Sequence, residues 1–133
     1  MAEDRFREWK PPVIEEGVPT KWNWVVQGVP GLVLGSRTDI GAFTYINARH
    51  GVEIGDEAQI GSHCSIYSLS TIDGKHGKVT IGKKACIGSH SVVMPGVTIG
   101  ENSIIGAFSF VNRDIPANVV AMGQPCKVVK PLP

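Results

Sequence analysis

No apolar run in this chain approaches the roughly 20 residues that a membrane-spanning helix needs, so its 133 residues offer no candidate anchor of that kind. The opening stretch, MAEDRFREWKPP, mixes acids, bases and prolines where a secretory signal would carry an apolar core. Cysteine is scarce: Cys64, Cys86 and Cys126 are odd in number, have no CxxC spacing and make no complete disulfide framework. A reducing, cytoplasmic setting is the expectation. An excess of one charge is also missing. Thirteen lysines and arginines against twelve acids leave a formal charge of +1, and no local basic patch stands out, so neither nucleic acid nor a membrane surface is an expected partner.

What the chain has instead is a period. From Leu34 to Val111 an aliphatic residue recurs at almost every sixth position: Leu34, Ile40, Ile46, Ile54, Ile60, Ile66, Ile72, Ile81, Ile87, Val93, Ile99, Ile105 and Val111. Eight of these thirteen are followed directly by glycine, which the pattern assigns to a sharp bend in each repeat. Four residues after the aliphatic the side chain is usually small or medium-sized, as at Thr44, Cys64, Ser91 and Ser109. A period of six suits neither an amphipathic helix nor an alternating strand. It suits short strands separated by turns and stacked coil on coil, each rung paired to the next about 4.8 Å away. One coil alone cannot bury its apolar row, so the stack needs capped ends. Residues 1–30 stand outside the repeat and are expected to be the N-terminal cap, residues 31–114 the repeat, and residues 115–133 a short C-terminal cap. The first segment holds Trp9, Trp22 and Trp24; the last two alternate as residues on one face of a strand would, and are expected to cover the open end.

Residues 81–130, IGKKACIGSHSVVMPGVTIGENSIIGAFSFVNRDIPANVVAMGQPCKVVK, resemble the closing half of the hexapeptide-repeat acyltransferases. The likeness covers about residues 31–130, and its most specific elements are MPGVTIG, IGAFSFV, RDIP and GQPCKVV, which follow that family's order and spacing. It implies an all-β fold, a left-handed parallel β-helix of triangular cross-section, assembled as a homotrimer. The hand comes from the resemblance alone, since the usual rule for parallel crossovers gives the opposite one. The resemblance also implies acetyl-CoA as donor and, as acceptor, a hydroxyl or amine of a sugar or nucleotide sugar. Gly106, Ala107, Gly123 and Pro125 fall on family positions that line or support the donor. Arg113 and Lys127 are among the late cations available to its phosphates. One departure is visible: the family commonly has GAGSVV where this chain has GAFSFV, so Phe108 and Phe110 are expected to reshape the donor surface.

With three repeats per coil, one face is expected to stack Leu34, Ile54, Ile72, Val93 and Val111. The second takes Ile40, Ile60, Ile81 and Ile99, and the third Ile46, Ile66, Ile87 and Ile105. Spacing stretches between Ile46 and Ile54 and between Ile72 and Ile81, and each stretch carries a histidine, His50 and His76. Loops on a rigid scaffold are where reactive groups tend to be displayed. SIYSLSTIDGKH resembles the family segment whose loop delivers the catalytic histidine, which makes His76 the first candidate base and His63 the second. In this register His63, His76 and His90 fall at three different corners, and His50 and His90 share one. Acyl transfer to a hydroxyl or amine requires removal of a proton, which imidazole can accept near neutral pH. Asp73 is placed either to orient His76 or only to make a turn. Cys64, beside His63, points toward the core and is read as packing rather than as a nucleophile.

Two other classes remain open. Zinc enzymes of the γ-carbonic anhydrase type share the fold, but the HxxxxH pair expected of them is absent, and no metal is expected here. A non-catalytic trimeric scaffold fits the period equally well; affinity for acyl-CoA would separate it from a transferase.

Overall fold

The computed structural model describes residues 6–133, which are all-β apart from one short 3-10 turn at Val29–Gly31. Three sheets form the faces of a prism. Face one stacks β1 (Val25–Gln27), β4 (Tyr45–Asn47), β7 (Ser65–Tyr67), β10 (Val92–Val93) and β13 (Phe110–Val111). Face two stacks β2 (Leu32–Leu34), β5 (Val52–Ile54), β8 (Val79–Ile81) and β11 (Thr98–Ile99). Face three stacks β3 (Asp39–Ile40), β6 (Gln59–Ile60), β9 (Cys86–Ile87), β12 (Ile104–Ile105) and β14 (Val119–Gly123). The chain visits the three faces in turn and every strand pairs parallel with its counterpart one rung away; only β15 (Cys126–Pro131) runs antiparallel, folding back on β14. The molecule is a parallel β-solenoid of about five turns.

The strands turn aliphatic side chains inward, two of them on β5 (Val52 and Ile54) and two on β8 (Val79 and Ile81). Ile46, Ile66, Val93 and Val111 stack under face one, Ile54, Ile81 and Ile99 under face two, and Ile60, Ile87 and Ile105 under face three, all nearly or fully buried. Burial of each such side chain contributes on the order of 2 kcal/mol.

This register differs from the one expected from the spacing. Ile72 does not join a face: it is 98% exposed, in a loop that leaves the stack after β7. Ile81 therefore sits above Ile54, where Ile72 was expected, and Ile87 above Ile60 rather than above Ile66. The physical reason is that residues 69–77 form an excursion which closes on itself, so they use up no position on the prism. The longer Ile46–Ile54 interval is different, being taken up by a corner turn that keeps Ala48 buried.

The glycines also act otherwise than as bends. None of the eight that follow an aliphatic has a positive φ; the left-handed residue lies two positions later, at Arg37, Phe43, Glu57, His63, Lys84, His90, Asn102 and Phe108. A Cβ on Gly41 would collide with the Ser62 backbone nitrogen, and one on Gly88 with that of Ala107. Glycine is required because the next rung's backbone occupies the space.

At the N-terminal end Trp24 is buried against the core, whereas Trp22 is 47% exposed and lies in the turn before β1, so the two do not share a strand face. The N-terminal segment is pinned by Glu16, whose carboxylate accepts the backbone N–H groups of Gly28 and Val29 at 2.8 and 2.9 Å. Those N–H groups, Val29 first and then Gly28, hold the Glu16 carboxyl below its usual range.

Two measurements check this description. Urea unfolding of Ile66→Ala should show a loss of about 3 kcal/mol, while Ile72→Ala should stay within about 0.5 kcal/mol of the parent; the spacing-derived register instead requires comparable losses from both. Glu16→Gln should lower stability at neutral pH. Because the folded-state value of Glu16 is depressed, its stabilisation is present above the ordinary carboxylate pKa and lost as pH falls through the lower folded value. The gap between parent and variant should therefore close in acid, below about pH 4.

Candidate functional site

The four histidines are gathered into two pairs at two different corners, not spread over three. His63 and His90 stack with ring centroids 4.7 Å apart and planes within 5°. Phe43 lies against His63 at 5.2 Å and Phe108 against His90 at 4.9 Å, which makes a four-ring column up the corner between faces three and one. All four residues hold positive φ, from 58° to 66°, and this conformation turns their side chains outward. Behind the column, one residue later in each repeat, Thr44, Cys64, Ser91 and Ser109 are buried. Thr44 Oγ1 donates to the Gly61 carbonyl at 2.8 Å and Ser109 Oγ to that of Gly106 at 2.6 Å. Cys64 Sγ lies 3.3 Å from the Gly88 carbonyl, and burial pushes its thiol up, as suits a packing residue rather than a nucleophile.

The second pair is at the corner between faces one and two. His50, in the turn after β4, stacks on His76 with centroids 4.6 Å apart and planes at 29°. The expected sharing of a corner by His50 and His90 is thus replaced by His50 with His76. His76 ends a small excursion that returns where it began: the Ser68 carbonyl accepts the Gly77 N–H at 2.9 Å, Ser70 N–H donates to the Lys75 carbonyl at 2.8 Å, and Leu69 bridges His76 in antiparallel fashion.

Within this excursion Asp73 makes the turn rather than orienting the histidine. Its carboxylate accepts the Lys75 N–H at 3.1 Å, and that bond, followed by one from the Ser70 hydroxyl, draws its pKa down. The orienting group is the Gly74 carbonyl, 3.2 Å from His76 Nδ1. A carbonyl can only accept, so Nδ1 carries the proton in that bond, and in the neutral ring Nε2 holds the lone pair. Both histidines are exposed, and the lone pair is open to a ligand. His63 lies at the opposite end of β7 from this loop; one chain does not bring the two candidate bases together.

The residues expected to contact an acyl donor divide in the same way. Gly106 and Ala107 form the uppermost turn of the ring-column corner, and the hairpin between β14 and β15 lies on it. Gln124 Nε2 donates to the Phe108 carbonyl at 2.8 Å, Gly123 N–H to Ser109 Oγ at 3.2 Å, and a Cβ on Gly106 would meet Met122. Gly106, Ala107, Gly123 and Pro125 are thereby brought together. Lys127 is exposed on β15, opposite Met122. Arg113 is exposed just beyond β13, on the corner that carries His50 and His76. Among the described residues no group of three or more His, Cys, Asp or Glu side chains is arranged to hold a metal ion, and no helix is long and apolar enough to cross a membrane.

A six-repeat bacterial transferase hexapeptide model matches residues 78–113. The fold is the hexapeptide-repeat β-helix. Galactoside O-acetyltransferase of Escherichia coli is 62% identical over 52 residues, which are 39% of this chain and 26% of that protein. The chain thus spans about a quarter of the curated relatives it matches. Among solved structures, a galactoside acetyltransferase in complex with coenzyme A superposes with a TM-score of 0.77 at 31% identity, covering 90% of this chain and 64% of that one. A maltose O-acetyltransferase from Clostridium difficile gives 0.77 at 30% identity, covering 84% and 64%.

Two features of the site are not among the expectations drawn from the sequence. The ring column follows from Phe43, His63, His90 and Phe108 occupying one position in successive coils, a signal present in the spacing but hidden by the misplaced Ile72. The His50–His76 stack has no spacing signal, because it depends on how far the excursion folds back.

Proposed function

We propose that this chain moves an acetyl group from acetyl-CoA to a hydroxyl of a sugar, with His76 as general base. The observation that carries the reading is the His76 ring itself: Nδ1–H is held by the Gly74 carbonyl and the exposed ring stacks on His50, on a loop fixed to a rigid rung. That arrangement suits removal of a proton from an acceptor. The names of the relatives, a galactoside and a maltose O-acetyltransferase, favour a sugar hydroxyl over an amine.

In the proposed reaction the acceptor hydroxyl gives its proton to Nε2 as its oxygen bonds to the thioester carbonyl carbon. The carbon–sulfur bond then breaks, and the proton passes from the imidazolium to the departing thiolate, which leaves as free coenzyme A. Histidine ends neutral, and no covalent enzyme intermediate is needed. A backbone N–H at one of the corner turns is the expected donor to the charge that develops on the carbonyl oxygen.

The donor contacts proposed are Gly106, Ala107, Gly123 and Pro125, with Lys127 and Arg113 for the phosphates. In one chain face one separates most of them from His76. A homotrimer, in which the ring-column corner of one copy meets the His50–His76 corner of the next, would unite the two sets. Face one is suited to such packing, since its outward residues Val25, Tyr45, Ser65, Tyr67, Val92 and Phe110 include no acid or base.

Calorimetric titration with acetyl-CoA should give saturable binding near one site per chain; none at millimolar concentration would overturn the transferase reading. His76→Ala should lower kcat by about a hundredfold or more while acetyl-CoA affinity stays within about twofold. A fully active His76→Ala would pass the role to His63, to be tested by His63→Ala in the same assay.

A further inference from the structure

The stack of His50 on His76 joins two segments from different rungs, and one residue is bonded to both segments, by its hydroxyl to one and by its carbonyl to the other. Ser68, the residue after β7, is fully buried. Its carbonyl closes the His76 excursion through the Gly77 N–H at 2.9 Å. Its hydroxyl oxygen accepts the His50 backbone N–H, also at 2.9 Å. The single hydroxyl proton is directed to Asn47 Oδ1 at 3.4 Å, and the Ser68 N–H donates to the Asn47 carbonyl at 2.9 Å.

The network continues in one direction. Asn47 is almost fully buried, and its Oδ1 also accepts the Arg49 N–H at 3.1 Å, which fixes the amide so that Nδ2 points to Tyr45 Oη at 3.4 Å. Tyr45 in turn donates to Gln27 Oε1 at 2.6 Å. Each group gives its proton to the next, from the His50 backbone through Ser68, Asn47 and Tyr45 to Gln27. Such a chain has little freedom to rearrange, because reversing one bond leaves a buried donor or acceptor unmatched.

We infer that Ser68 is a positioning residue for the site: through the His50 N–H and the Gly77 N–H it sets the His50 ring against the face of His76 and so fixes where His76 Nε2 points. The inference rests on the reading of His76 as the base, and it assigns Ser68 no contact with substrate. A base displaced by a fraction of an ångström loses much of its rate advantage even though the fold survives.

The test uses Ser68→Ala, with Ser68→Cys as a second variant that keeps the volume and offers only a weak acceptor. Ring stacking moves the His76 ring-proton NMR resonances upfield, and His50→Ala gives the reference position without that effect. Both Ser68 variants should move these resonances toward the reference, with unchanged far-UV circular dichroism. Both should also lower kcat about tenfold at an acetyl-CoA KM within about twofold of the parent. Unmoved resonances would overturn the inference whatever happens to kcat, and so would moved resonances with unchanged kcat. Full activity of His76→Ala would instead remove the reading beneath it, while the NMR result would still report whether Ser68 holds the pair.

Discussion

The close approach of one rung's backbone to the next governs this molecule. Rungs pair through ladder hydrogen bonds at about 4.8 Å, and at each corner the chain has to turn without moving away from its neighbour. Where Gly41 and Gly88 lie, no room exists for a Cβ. The conformational cost of the turn is carried two residues further on, by side chains such as Phe43, His63, His90 and Phe108 in the left-handed region. Left-handed backbone is ordinarily unfavourable for bulky residues. Repetition on every rung lets each such residue stack on the one below, which offsets part of that cost.

The same constraint determines where chemistry can be placed. Faces are committed to the ladder and hold their side chains in fixed rows, so corners are where residues can be added to the stack. All four histidines are at corners, two on the ring column and two where the chain lengthens its turn. Corners also bring together residues distant in sequence: His50 and His76 are 26 positions apart and yet stack at 4.6 Å, because the rungs they leave are adjacent.

The solenoid was legible from the six-residue aliphatic row, because burying such a row demands a stacked coil and nothing about the loops can change that. The inward position of Cys64 and the small residues behind the corners follow from the same row. The phase of the later coils was not legible. Ile72 has the right residue type at the right interval and still lies in solvent, since sequence spacing does not distinguish a residue on the ladder from one in an excursion that closes beside it. That error moved Ile81 and every later aliphatic to a neighbouring face and obscured the pairing of His63 with His90. The choice of His76 as a candidate depended on a local likeness. Its orienting partner, the Gly74 carbonyl, could not be read, because a backbone group carries no residue identity; Asp73 drew attention for being a carboxylate and serves only the turn.

The excursion from Leu69 to His76 begins and ends on hydrogen bonds of a single residue's neighbourhood, with the Ser68 carbonyl meeting the Gly77 N–H. In a coiled coil, inserting a few residues rotates everything downstream and must be compensated. Here the ladder resumes as though the segment were absent, with Val79 above Val52 and Ile81 above Ile54. The segment is therefore modular in the sense of a replaceable cassette: the register of the later rungs does not depend on its length.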